Sequence, residues 1–207
     1  MSSRQQTVQA VPLDLRVDIG AIHTDARTVE LTFATPKADV LRFDWDTGKR
    51  FYERLSLDPK HVNMERLASG TAPLLDTHSA WSIANQIGVV ETAGLSGKSG
   101  EAKVRFSKRA DVEPFYQDVV DKIIRNNSLG YRVYRFEDAG ETKRGYPVLI
   151  ATEWEPYEIS MVPMGADAGA RTRSAKDIPT NPCVIVRSGL TDADRARNFR
   201  LAMARAF

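Results

Sequence analysis

The sequence predicts a mainly β protein with peripheral helices, an α+β fold. Short runs in which apolar and polar residues alternate recur along the chain, as half-buried strands require. Turn-forming clusters such as Asp46-Thr47-Gly48 punctuate them. One stretch keeps a helical period instead: Val112, Phe115, Tyr116, Val119, Val120, Ile123 and Ile124 form one continuous face.

Taken in order, residues 1–10 are polar and are expected to fray. Leu13, Leu15, Val17 and Ile19 alternate with polar neighbours up to Gly20, and Val29, Leu31 and Phe33 repeat the pattern over 28–34. A third strand is expected over 40–45 and a less regular fourth over 51–57, and residues 61–67 read as a short helix. Strands over 83–90 and 103–107 frame a Gly/Ser-rich loop, 94–100. That loop contains Gly97-Lys98-Ser99, the tail of a phosphate-binding signature, but Thr92 stands where its first glycine belongs. It therefore reads as a hairpin loop. In the strand after it, Ala102, Val104 and Phe106 face one side, and Lys103 and Arg105 the other.

The helix is expected over 111–126, ended by Asn126 and Asn127, which tolerate the left-handed conformation. Ser128 then stands at the junction with an aromatic and β-branched strand that runs through Phe136. A turn over 137–145 leads to a strand piece at 147–150 and a long run over 153–162, where Pro156 requires a sheet edge or a bulge. Tyr157, Ile159 and Met161 share one face of that run, and Glu158, Ser160 and Val162 the other. Beyond it the chain turns small, polar and basic, and then ends in a helical pattern capped by Thr191, with Phe199, Ala202, Met203 and Phe207 in a narrow stripe. The expected organisation is a main domain over 1–166, a basic flexible linker over 167–190 and a C-terminal amphipathic helix over 191–207. That helix either docks on a partner or packs on its own domain.

Composition excludes several classes. A chain of 207 residues with 42% hydrophobic and 27% charged residues can bury a core and suits a soluble globular protein. A net charge of +2 gives no electrostatic ground for a nucleic-acid or membrane partner. The lone Cys183 excludes an internal disulfide and fits a reducing cytosol. No apolar run is long enough to span a bilayer, no signal-peptide core follows Met1, and His23, His61 and His78 are too scattered for a zinc motif.

Three side chains invite a chemical reading. Ser128 alone is a turn serine, but two rigid elements would fix it. His78 alone is a hydrogen-bonded structural histidine, yet it is the one strong base near neutral pH in its segment. Glu158 shares a face with small or apolar residues in a strand and needs a partner there, either an imidazolium or an arginine.

His78 within Pro73-Leu74-Leu75-Asp76-Thr77-His78-Ser79, Ser128 within Asn127-Ser128-Leu129-Gly130-Tyr131-Arg132-Val133, and the run Trp154-Glu155-Pro156-Tyr157-Glu158-Ile159-Ser160-Met161-Val162-Pro163 occur in that order. Together, over about residues 44 to 170, they resemble the prohead maturation proteases of tailed bacteriophages, related in fold to the herpesvirus protease assemblin. The resemblance implies an antiparallel assemblin-like β-barrel. It implies a serine endopeptidase of procapsid maturation that cleaves scaffold or the N-terminal segment of the major capsid protein, and itself. Ser128 would be the nucleophile, His78 the general base and Glu158 the third member, with Glu153 or Asp76 as alternatives, and Gly165 would sit among the oxyanion donors. No metal or organic cofactor is implied. The expected location is the procapsid in the host cytoplasm, and the enzymes it resembles often work as homo-dimers.

Two positions depart from the pattern. Many members carry an aspartate where this chain has Ser79, and Met164-Gly165-Ala166-Asp167 keeps only the Ala-Asp part of the usual tract, which leaves the oxyanion donors open. The rival expectation is a non-catalytic capsid assembly or scaffold protein that uses the same barrel and docks through its C-terminal helix. A small-ester hydrolase is disfavoured, because no G-x-S-x-G surrounds Ser128.

Overall fold

The computed structural model describes residues 5–8, 19–36, 38–44, 47–96, 98–163 and 181–186. The strands are β1 (Gln5–Val8), β2 (Ile19–His23), β3 (Thr28–Ala34), β4 (Asp39–Asp44), β5 (Lys49–Leu55), β6 (Pro73–Asp76), β7 (Gln86–Leu95), β8 (Gly100–Phe106), β9 (Asn126–Lys143), β10 (Tyr146–Val162) and β11 (Asn181–Val186). All join one sheet, ordered β1-β11-β9-β10-β6-β7-β8-β3-β2, with β5 on β10 and β4 on β5. The mainly β class holds.

The closed antiparallel barrel does not. Closure requires the end strands to pair, and among the described residues β1 and β2 end the path without pairing to each other, so the sheet is open. It is also mixed: β5 and β6 run parallel to β10, and β11 runs parallel to β9. The long β10 accepts β5 along 148–151 and β6 along 159–161, in succession on one side. Parallel pairing needs a crossover of a dozen or more residues between the two paired strands, which the chain from β7 to β9 supplies between β6 and β10.

The β9–β10 hairpin is the spine. Its turn is only Arg144 and Gly145, at φ 49° and 83°, between the paired Lys143 and Tyr146. Positive φ at both positions is the primed geometry that matches strand twist. The expected turn over 137–145 therefore shrinks to two residues, because exposed polar residues after Phe136 still pair as strand. Pro156 is tolerated as expected at an irregularity: the register shifts between it and Glu158, and it falls between the stretches paired to β5 and β6. Trp154, Phe33, Phe106, Phe136, Leu74, Leu129, Ile159 and Met161 are fully buried around this spine. The Trp154 indole N–H donates to the Ser56 carbonyl at 2.9 Å, and Tyr131 meets its ring edge-on at 5.7 Å. The indole thus buries its polar atom with a partner.

Helix α1 (Glu113–Val120) is eight residues long, shorter than the expected 111–126. Pro114 sits in its first turn, and Tyr116 and Val119 bury against the core. Its end is a Schellman motif. The Ile123 N–H donates to the Asp118 carbonyl at 2.8 Å, the Lys122 N–H donates to the Val119 carbonyl at 3.1 Å, and Lys122 is left-handed at φ 59°. Ile123 points into water as a result, and Asn126 and Asn127 belong to β9 rather than to a helix end. The short helix expected over 61–67 is instead two 3-10 turns, Pro59–His61 and Leu67–Ser69, separated where Val62 bridges to Trp154. Of the first expected strand only Ile19 is described, and it opens β2. Residues 181–186 of the expected linker form β11; the rest of the expected linker and the whole C-terminal helix lie outside the described residues. No helix among the described residues is long and apolar enough to cross a membrane.

Candidate functional site

At the end of β6 the chain turns through Thr77 and His78, both left-handed at φ 47° and 59°. Non-glycine residues in that region cost about 1–2 kcal/mol each, so bonds must hold the turn. The Thr77 N–H donates to the Met161 carbonyl, and the His78 N–H donates to Ser160 Oγ, each at 3.0 Å. The turn thereby aims the imidazole at the β9–β10 pair. There Ser128 lies opposite Ser160, and Gly130 lies opposite Glu158. The two-residue period of a strand puts all four on one face.

His78 Nε2 lies 2.7 Å from Ser128 Oγ, and His78 Nδ1 lies 2.6 Å from Glu158 Oε1. An ionised carboxylate only accepts, so Nδ1 carries the proton, and Nε2 accepts from the Ser128 hydroxyl. The second carboxylate oxygen, Glu158 Oε2, accepts from the Ser160 hydroxyl at 2.7 Å. Glu158 is 3% exposed and Ser128 is fully buried, while the His78 side chain keeps 17% of its surface. Burial, and then the Glu158 carboxylate, pushes the neighbouring Tyr157 hydroxyl up. Chemically, the arrangement lets the imidazole take the Ser128 proton while the carboxylate steadies the ring.

The three residues singled out from sequence are thus brought together. Asp76 and Glu153 are not part of the array: Glu158 occupies Nδ1, and Glu153 is exposed beside Arg135 on β9. Gly165 lies outside the described residues. His61 is half-buried, with Nδ1 2.7 Å from Ser56 Oγ. Ser79, where an aspartate is common in the resembled family, accepts from Asn85 Nδ2 at 2.5 Å. Among the described residues no group of three or more His, Cys, Asp or Glu side chains could hold a metal ion.

Sequence reasoning left two members unassigned. Gly130 gives the carboxylate room, since a Cβ there would stand 2.7 Å from Glu158 Cγ and Cδ. A glycine inside a strand is itself a signal of close approach. Ser160 was placed on the Glu158 face by period, but its second bond, to the His78 backbone, depends on a turn that no periodicity shows.

The major capsid protein of Halomonas phage phiHAP-1 is 37% identical to this chain over 135 residues, which is 64% of this chain and 22% of that protein. This chain is similar to a phage structural protein. It spans less than a quarter of that relative's length. No family model matches the chain, and no solved structure does. The relative's name corrects the expectation of a serine endopeptidase: it is that of a structural capsid protein, not of a hydrolase, so the enzyme and scaffold-cleavage readings are withdrawn. The bacteriophage and capsid setting drawn from the sequence agrees with it.

Proposed function

We propose that this chain is a capsid-assembly module of a tailed bacteriophage that works in the capsid particle by docking rather than by catalysis. The observation that carries this reading is the 37% identity over 135 residues to a phage major capsid protein. The partner is capsid-shell polypeptide. We further infer an assemblin-like sheet put to structural use, which the order of the His78, Ser128 and Glu158 motifs supports. Within it, Ser128, His78 and Glu158 are assigned as a buried hydroxyl–imidazole–carboxylate latch that ties the end of β6 to β9 and β10.

Replacing the matching segment of the phiHAP-1 protein by this chain, and imaging the particles by negative-stain electron microscopy, tests the reading. Closed shells are expected from wild type and from Ser128→Ala alike. Absence of shells from a folded chimera overturns the assembly role. Covalent labelling of Ser128 by a fluorophosphonate, lost in His78→Ala, overturns the non-catalytic reading.

A further inference from the structure

We infer that Ser160 is the positioning residue of the Ser128–His78–Glu158 array, an inference that rests on those three acting as one unit. Its hydroxyl is bonded twice, and both bonds lead to His78. As acceptor it takes the His78 backbone N–H at 3.0 Å. As donor it reaches Glu158 Oε2 at 2.7 Å, while Oε1 of the same carboxylate holds the His78 ring at 2.6 Å. The circuit closes: backbone of His78, hydroxyl of Ser160, carboxylate of Glu158, ring of His78. One side chain therefore sets both the left-handed turn that presents the imidazole and the tilt of the carboxylate that orients it.

Ser160 is suited to this by position. It is fully buried, so no water competes for its lone pairs, and it faces Ser128 directly across the β9–β10 pair. Its neighbour Met161 holds the preceding residue of the turn through the Thr77 N–H. The β10 segment 160–161 is thus a template for residues 77–78, and Ser160 is its polar half. An alanine there would leave the His78 N–H and one Glu158 oxygen without this partner, freeing the carboxylate to rotate about its side chain.

The test is proton NMR on the full-length ¹⁵N-labelled chain, reading the downfield His78 Nδ1 proton, which is assigned by its loss in His78→Gln. In Ser160→Ala that proton is expected to exchange with water about tenfold faster, the order expected for losing one net hydrogen bond. Ser160→Thr, which keeps the hydroxyl, restores the wild-type rate. Ser160→Cys, nearly isosteric but a poor hydrogen-bonding group, serves the same arm if the alanine variant does not fold. An unchanged exchange rate in the alanine or cysteine variant overturns the inference, even if that variant is less stable. Glu158→Ala, which removes the acceptor altogether, separates the two levels: if it leaves the signal untouched, the three-residue unit itself fails, independently of Ser160.

Discussion

Gly130 and Glu158 stand directly opposite each other across the β9–β10 pair, and the missing side chain of one is the space filled by the other. A methyl group at 130 would force Glu158 aside and break its bond to His78 Nδ1. Gly130→Ala is therefore expected to destabilise by about 2 kcal/mol, the range for overpacking a buried site, although alanine is normally the better strand residue. Urea unfolding measures it. A variant as stable as wild type, with the His78 ring proton unshifted, would show that the sheet relaxes at no cost.

Glu158 accepts from two donors, the half-buried His78 ring and the buried Ser160 hydroxyl. Glu158→Ala strands both, at about 1–3 kcal/mol for each. Glu158→Gln keeps one acceptor, and the Ser160 hydroxyl can turn to accept from the new amide, so a loss of about 1 kcal/mol is expected. The ordering is the checkable content, read from urea midpoints of the two variants. Equal losses would mean that the two acceptor sites are not what Glu158 contributes.

The pieces of this site were legible to different degrees. The strand over 28–34 and the β7–β8 hairpin follow from alternation, because half-buried strands write their faces into every second residue. Glu158 was readable for the same reason: a carboxylate on the inner face of a strand demands a partner. What the chain did not reveal is where local rules give way to long-range pairing. Ile123 and Ile124 extend the helical period past Val120, yet a lysine takes the left-handed position and stops α1 there. The parallel entries of β5 and β6 on β10 join segments distant in sequence, and no local pattern encodes which edge accepts them. The open ends of the sheet are a consequence of the same kind.

Acid should uncover a different set of contacts. Asp39 receives two hydrogen bonds from the Arg54 guanidinium, at 2.6 and 3.0 Å, and one from Lys143 at 2.9 Å. Bonding to Arg54, against the opposing effect of burial and with help from Lys143, holds its carboxyl below the ordinary value of 3.8. A group whose folded value is depressed stabilises the fold above its unfolded value, and that contribution is lost as pH falls through the folded one. The stability gap between wild type and Asp39→Asn should stay constant at neutral pH and narrow only below 3.8. A gap that closed well above that value would assign it to another group. Thermal melts of both proteins across an acid series decide this.

Lys122 closes α1 in a conformation that favours glycine, with its N–H and that of Ile123 bonded back into the last turn. The left-handed geometry costs a side chain about 1 kcal/mol, partly offset by the greater freedom of glycine in the unfolded chain. Lys122→Gly should therefore stabilise by about 0.5 kcal/mol. Lys122→Val, whose branched Cβ makes the same geometry worse, should destabilise by about 1 kcal/mol or more. Both are read as shifts in the urea midpoint at constant slope. If glycine destabilised while valine did not, the helix would not be ending on a left-handed residue, and the stretch from Ile123 to Arg125 would have to reach β9 by another path.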